Sequence, residues 1–397
     1  MSDLPGLLDT DGDGLKDLFE TNGILDATWD VNEDIEDPLA NLPDADNDRL
    51  LGGDVDFRDL LDADIPDLAK IDFDGIDDYI ELKKSSPINS VDEFTISFWL
   101  KLDEVLTAPF PAKTFVGGQK DMFEVSVGLN ATGDPHVYTS HYHDDVSSPQ
   151  SEGHPIDNIN WFHYTAVVNY ITESIIVYIN GEQVNVLDIT GNPRETNANP
   201  FRLGSKLAIQ PDPDYQNFKG WIDELRIFNT SLTASQIQQM TYQEIVNNSG
   251  IVKGSVIDKD IFDPAVKAIP WYNLVCYHPM NFIVSGDLLD SSLYGNNGRL
   301  YNILSVEPQN APLPYETQAD GFWTTEATWE HGDVWDIEDI PNNKDWSIVH
   351  IHDNVSTIAS HTQMGLLIDT DKTLSVLGDN AITNNWYLQL DGTIDLA

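Results

Sequence analysis

The sequence predicts a mainly β chain: an antiparallel β-sandwich in the middle, an aspartate-rich segment before it and a β-rich module after it. Three observations carry this reading. From Ile71 onward, short alternating or continuous apolar segments recur between turn signals spaced about 8 to 12 residues apart, as in all-β sandwiches. Asn180-Gly181 separates two such segments, at 175–179 and 182–184, and this dipeptide favours a two-residue type I′ hairpin. Hydrophobic residues make up 41% of 397, enough for a sizeable core. No apolar run approaches the ~20 residues that cross a bilayer, so no membrane insertion is expected. Length alone gives a prior of two to three domains.

The charge separates the segments further. Asp plus Glu number 67 against 20 Lys plus Arg, for a net charge of −47. Nucleic-acid binding needs clustered basic residues facing phosphates, so this balance argues against it, and equally against an anionic membrane surface. Cations are the expected partners. A single cysteine, Cys276, excludes an internal disulfide framework and a cysteine-based zinc cluster. The start, Met1-Ser2-Asp3-Leu4-Pro5, lacks a basic n-region and an apolar h-region. With a strand-like run reaching Ala397 without a cap, this leads us to expect a piece of a longer exported chain.

Residues 1–68 form the first segment, where the acidity is densest: 18 Asp and 3 Glu face Lys16, Arg49 and Arg58 up to position 67. Residues 9–20 match the twelve-position calcium loop, with Asp9, Asp11, Asp13, Asp17 and Glu20 at positions 1, 3, 5, 9 and 12. Gly14 permits the sharp turn, Leu15 offers its backbone carbonyl, and Glu20 can close the cage bidentately. A second stretch keeps Asp44, Asp46 and Asp48 at the first three ligand positions. There Arg49 replaces the turn glycine and Val55 occupies position 12, so a closing carboxylate must be Asp54 or Asp56; the competing reading is an acidic linker. The expected cofactor is Ca2+. Because only eight residues precede the first loop, no entering helix is expected, and the segment resembles aspartate-rich repeats of the thrombospondin type 3 and dockerin kind.

Residues 69–246 form the sandwich. Strands are expected at 79–82, 94–102, 123–127, 161–168, 175–179 and 221–228, followed by a short helix whose Thr233 and Gln236 are spaced as a capping box. The blocks Ile71-Asp72-Phe73-Asp74-Gly75, Phe94-Thr95-Ile96-Ser97-Phe98-Trp99, Trp161-Phe162-His163-Tyr164 and Gly220-Trp221-Ile222-Asp223-Glu224-Leu225-Arg226 come in a familiar order. Together they resemble the laminin-G-like, concanavalin A-type jelly-roll domains of secreted bacterial proteins. The resemblance implies two packed antiparallel sheets with the terminal strands adjacent. It also implies a structural calcium near Asp72 or Asp74 and Asp223; the alternative is a plain Asp74-Gly75 turn and an Asp223–Arg226 ion pair. The usual role in that family is binding of glycans or protein ligands.

Catalysis is not expected. Related glycosidases need paired carboxylates on one strand, and no such strand is evident, nor a Gly-x-Ser-x-Gly elbow, a His-Glu-x-x-His helix or a phosphate-cradling loop. His136, His141, His143 and His154 cluster in sequence. A strand at 141–143 would point His141 and His143 to one face; they read either as a metal or sugar-contact site or as exposed loop histidines, with His141, Tyr142 and His143 taken as ligand-contact residues.

Residues 247–314 read as a linker carrying a partial laminin-G-like turn at 290–298. Residues 315–397 read as a β-rich module, a β-solenoid or a small sheet, from strand-like runs at 346–351, 365–368, 373–377 and 386–390. Trp323, Trp329 and Trp335 are expected in its core and caps rather than as a sugar platform, and His350-x-His352 falls on one strand face and reads as surface. The whole describes a calcium-binding adhesion or glycan-recognition segment of a secreted or cell-surface protein. The alternatives are a calcium-stiffened spacer and the accessory domain of a polysaccharide-degrading enzyme.

Overall fold

Alternation of apolar side chains resolves into two antiparallel sheets packed face to face. The computed structural model describes residues 69–89, 91–106, 113–142, 150–156, 160–191, 196–206, 215–284, 286–303, 306–308, 311–331 and 346–396. The aspartate-rich loops expected at 9–20 and 44–56 lie outside the described residues, as do His143 and Trp335.

The sandwich strands are β1 (Ala69–Asp74), β2 (Tyr79–Leu82), β3 (Glu93–Leu102), β4 (Lys113–Gln119), β5 (Phe123–Leu129), β6 (Pro135–His141) and β7 (Gln150–Pro155). They continue as β8 (Phe162–Asn169), β9 (Ser174–Ile179), β10 (Glu182–Asp188), β11 (Phe201–Leu203), β12 (Tyr215–Asn217) and β13 (Lys219–Phe228). Asn180 and Gly181 between β9 and β10 have φ of 49° and 82°, the positive pair that a type I′ turn requires. Helix α1 (Ala234–Thr241) starts at Thr233, whose side chain accepts from the Gln236 backbone while Gln236 reaches back to the Thr233 N–H, the expected capping box.

After α1 the chain makes two small hairpins, β14 (Ile245–Asn248) with β15 (Ile251–Gly254) and β16 (Phe262–Asp263) with β17 (Lys267–Ala268). It then runs through β18 (Leu274–His278), β19 (Ile283–Val284), β20 (Asp287–Leu288), β21 (Gly298–Tyr301) and β22 (Val306–Pro308). These strands correct the linker expected at 247–314. β18 pairs with β13, β22 with β1, and β21 with β2, so the segment extends both sheets. Cys276, Met280, Leu288 and Leu300 enter the same core as Phe98 and Ile227. Strands of two to five residues are too short to show a period in sequence, which is why the segment reads as irregular.

The first sheet has the order β10-β9-β8-β3-β13-β1-β22 with β18 also on β13, and the second β19-β20-β21-β2-β11-β4-β5-β6-β7 with β12 beside β4. β1 and β13 are neighbours, so the ends of the sandwich segment meet as expected.

The C-terminal module consists of β23 (Tyr315–Glu316), β24 (Gly321–Phe322), β25 (Ile348–Ile351), β26 (Val355–Thr357), β27 (His361–Ile368), β28 (Thr373–Val376), β29 (Ile382–Leu390) and β30 (Thr393–Leu396). Its two sheets, β23-β25-β27-β29 and β24-β26-β28-β30, are wholly parallel, each rung stacking on the one before. This is a solenoid stack. Tyr315, Trp323 and Trp329 fill its interior with Val349, Ile351 and Leu366, so Trp323 and Trp329 are core residues as expected, the Trp329 indole N–H donating to the Trp323 carbonyl at 2.7 Å. The solenoid packs on the sandwich: Trp99 of β3 and Trp161, just before β8, share a buried cluster with Ile348, Met364 and Leu367.

Candidate functional site

The two sheets differ in what their outer faces meet. On the first sheet, Trp99 and Asp223 are paired opposite each other and fully buried, under α1, residues 245–271 and the solenoid. Arg226 and Glu224, also fully buried, sit in the same layer. The guanidinium donates through Nε to Glu224 Oε2 at 2.9 Å, through Nη1 to the Met240 carbonyl at 2.8 Å and through Nη2 to the Gln243 carbonyl at 2.7 Å, a second Nη2 contact returning to Glu224. The Tyr277 hydroxyl donates to the same carboxylate at 3.1 Å. This face ties α1 to the sheet and is covered.

The outer face of the second sheet is built differently. Phe123, Val125 and Val127 of β5 point into the core, so alternation sends Glu124 and Ser126 outward; the same rule sends Tyr79 and Glu81 of β2, Arg202 of β11, Arg299 and Tyr301 of β21 and Tyr138 of β6 to that face. Tyr79 and Tyr301 stack with ring centroids 4.3 Å apart, and the Arg202 guanidinium lies 5.5 Å over Tyr79 while binding Glu81 at 2.6 and 2.9 Å. Lys113 stands 4.0 Å over the Tyr138 ring, and burial lowers its pKa. Tyr138 covers Gly153, where a Cβ would lie 2.6 Å from the ring, so only glycine lets the ring lie flat. At the centre Glu124 is fully buried and has two polar partners: the Lys206 ammonium, Nζ at 3.2 Å, and the Tyr142 hydroxyl, which donates to it at 2.8 Å. Among the described residues, buried Ser126 Oγ has no hydrogen-bond partner.

At one end of β2 this face runs into a polar cleft of about 650 Å³ lined by Glu81, Lys83, Lys84, Ser85, Asn197 and Asn199. The amides there are ordered: Asn197 and Asn199 donate to the Lys120 carbonyl at 2.9 and 3.0 Å, and Gln119 donates to Asn197 Oδ1 at 2.8 Å. A smaller cavity of about 220 Å³ at the opposite edge, lined by His154, Ile156, Trp161, Phe162 and Ile179, is mainly apolar.

At the other end of β2 lies the acidic loop. Asp74, Asp77 and Asp78 bring carboxylate oxygens within 4.8 Å of one another. Asp74 Oδ1 accepts from the Ile76 N–H at 2.6 Å and Asp78 Oδ2 from the Asp74 N–H at 2.8 Å, while Asp78 Oδ1 is buried without a partner. Burial above all pushes the Asp78 carboxyl up to about 8, and the charges of Asp74, Asp77 and Asp72 add to the rise. An all-oxygen set with one orphaned, buried oxygen fits a hard cation such as calcium.

Of the residues expected to ligate near the sandwich, Asp74 is in this cluster and Asp72 acts on it through charge, but Asp223 is not. Asp74 pairs with Lys219, four positions along β13 from Asp223, about 13 Å at strand spacing. Nor does Asp223 pair with Arg226; its Oδ1 accepts the Glu224 N–H at 2.8 Å and Arg226 takes Glu224 instead. Asp77 and Asp78 were missed because adjacent aspartates match no ligand spacing. His141, expected as a surface contact, is fully buried: register sets it opposite Phe123, facing the core beside Tyr170 at 5.6 Å. Tyr142, expected as a contact residue on a variable loop, directly follows β6 and is half-buried, its hydroxyl donating to Glu124 at 2.8 Å. Glu124, Lys206 and Arg202 carry no local motif, and only β alternation could have placed them together.

The middle of the chain is thus an antiparallel jelly-roll sandwich with one covered outer face, one polar and aromatic outer face and an acidic rim loop. Residues 74–238 match the family model described as the Concanavalin A-like lectin/glucanases superfamily, and over that segment the chain is similar to it. Among curated proteins no relative matches. Solved structures similar in part include a proposed carbohydrate-binding protein of Bacteroides ovatus, at 17% identity and a TM-score of 0.44, covering 62% of this chain and 61% of that one. A heptameric SAP-like pentraxin of Limulus polyphemus is 17% identical with a TM-score of 0.37, covering 50% of this chain and 92% of the pentraxin. Domain 4 of the extracellular arabinanase AbnA of Geobacillus stearothermophilus, solved with arabinotriose, is 21% identical with a TM-score of 0.32, covering 43% and 76%.

Proposed function

We propose that the sandwich is a calcium-dependent glycan-recognition module of a secreted or cell-surface adhesion protein, with its platform on the outer face of the second sheet. The observation that carries this is the contrast between the sheets: one outer face is sealed under α1 and the solenoid, while the other carries half-buried Tyr138, Tyr142 and Arg202 around the buried Lys206–Glu124 pair and continues into a cleft of ordered amides. Sugars need flat faces for their apolar patches and fixed donors and acceptors for their hydroxyls, and this face supplies both. The superfamily match over 74–238 points the same way. Calcium held by Asp74, Asp77 and Asp78 would fix the β1–β2 loop and the start of β2, from which Tyr79 and Glu81 project. The N-terminal loop ligands at 9–20 would add a calcium-ordered spacer.

A glycan array run in calcium and in EGTA tests the reading. Binding is expected in calcium, lost in EGTA, and lost in Arg202→Ala, whose guanidinium bridges Tyr79 and Glu81. Silence across the array in both buffers would favour the spacer role, and binding indifferent to Arg202→Ala would move the platform elsewhere. To separate the rim loop from the N-terminal loops, Asp78→Asn is compared with Asp11→Asn. Only the former is expected to abolish the calcium-dependent rise in the melting temperature of the sandwich.

A further inference from the structure

The solenoid carries a donor set that the glycan reading does not use. Glu316 ends β23, and in-register stacking sets it beside His350 of β25. His352 follows two positions later, and its backbone N–H donates to the Thr317 hydroxyl at 2.9 Å, which fixes it against the first rung. Asp369, just past β27, holds the third rung, its own N–H donating to the Ile351 carbonyl at 3.1 Å. Three rungs thus bring four side chains to one spot at the spacing of a parallel ladder.

Each imidazole is held between two carboxylates. His350 Nε2 meets Asp369 Oδ1 at 2.9 Å, and His352 Nδ1 meets Asp369 Oδ2 at 2.7 Å. The opposite nitrogens, His350 Nδ1 and His352 Nε2, stand 3.7 and 3.5 Å from the same Glu316 oxygen, Oε1. If both rings donate N–H to Asp369, the two nitrogens facing Glu316 carry lone pairs. Three acceptors then converge with no donor among them, an arrangement that a bound cation would satisfy. Donors about 2.1 Å from a tetrahedral ion lie roughly 3.4 Å apart, close to the observed separations. Asp369 is then the outer carboxylate that sets ring orientation and tautomer, the usual partner of a metal-bound histidine.

We propose that Glu316, His350 and His352 bind a divalent transition-metal ion of the zinc class, with Asp369 orienting both rings. Imidazole nitrogen favours such ions over calcium or magnesium, which take oxygen. The side chains of His350 and His352 are 22% and 36% exposed, so an ion enters directly from solution. Glu330 and His331 form a second group with Glu316, and the fourth position of the Glu316–His350–His352 site is left to water. The competing explanation is a proton shared between rings and carboxylates.

The test uses the full chain, stripped with chelator and returned to excess calcium so that oxygen-rich loops are occupied, then titrated with ZnCl2 and with CoCl2. One zinc equivalent is expected, with cobalt absorption bands of a four- or five-coordinate nitrogen and oxygen site. The double variant His350→Ala with His352→Ala should bind at least about 100-fold more weakly, and Asp369→Asn, which spares the ligands, about 10- to 100-fold more weakly. Should the double variant lose its circular dichroism signature, isosteric Glu316→Gln takes its place with a large loss again expected. No zinc uptake by the wild type in calcium, or equal uptake by wild type and Glu316→Gln, overturns the proposal and leaves the proton as the cluster's cation.

Discussion

Two buried ion pairs stand on opposite outer faces of the same sandwich, and their surroundings differ. Arg226–Glu224 is wholly enclosed, and Nε, Nη1 and Nη2 of the guanidinium all have protein partners: the Glu224 carboxylate and the carbonyls at the end of α1. Lys206–Glu124 is nearly as buried, at 7% and 0% exposure, with the Tyr142 hydroxyl and the Asp121 N–H donating to Glu124, and the buried Ser126 hydroxyl beside it has no partner among the described residues. A completed network holds elements together. The unpartnered Ser126 hydroxyl beside the second pair retains hydrogen-bonding capacity for a ligand, which is why that pair, and not the first, belongs to the proposed platform.

The largest expected effect tests the completed network. Arg226→Met strands Glu224 in the interior and releases the end of α1, and should cost about 3–5 kcal/mol in chemical denaturation. A loss under about 1 kcal/mol would mean that the pair is not what joins helix and sheet. Lys206→Met should cost less, about 1–3 kcal/mol, because Glu124 keeps the Tyr142 hydroxyl and the Asp121 N–H. On the glycan array, however, Lys206→Met should silence binding while a conservative change on the covered face does not. Equal behaviour of the two faces on the array would break the comparison.

The strands that form the middle of the sandwich were legible in sequence because each has one apolar face: 94–102, 123–127 and 175–179 lie within β3, β5 and β9. The hairpin and the capping box were legible because their residues act locally. β6 and β7 were not, since Pro135, His136, Ser151 and Gly153 leave no apolar alternation to read. The two candidate sites were legible only in part, for one physical reason. Glu316, His350 and Asp369 meet through rung register, and Glu124 meets Lys206 and Tyr142 through sheet pairing, so neither set has a spacing along the chain. Of the expected contact residues, His141 was misplaced by one step of alternation, which exchanges the two faces of a strand.

Two smaller substitutions sharpen the contrast. Thr233→Ala removes the N-terminal cap of α1 and should cost about 1 kcal/mol, less than Arg226→Met at the other end of the helix. Ser126→Ala should leave stability unchanged or raise it by up to about 1 kcal/mol, because it removes a buried hydroxyl that has no partner. The same change should weaken glycan binding if that hydroxyl serves a ligand. A clear loss of stability in Ser126→Ala would mean that the hydroxyl is already satisfied by the fold, and the second face would then be as complete as the first.

The finest distinction is electrostatic. Around Arg226 the covered face holds Glu224, Asp223 and Glu244, three carboxyls for one guanidinium. Burial first, and then the Glu224 charge, push Asp223 well above the usual carboxylate range, and the same two causes raise Glu244 from 4.5 to about 7. The folded state therefore holds a proton on Glu244 more tightly than the unfolded chain does. Its contribution to stability is complete below about pH 4.5 and is lost as pH rises through about 7. Denaturation midpoints of the wild type should fall across that interval, and those of Glu244→Gln, neutral throughout, should fall less. Coincident pH profiles for the two proteins would show that Glu244 ionises without cost, and that the covered network tolerates a charge its geometry leaves unpaired.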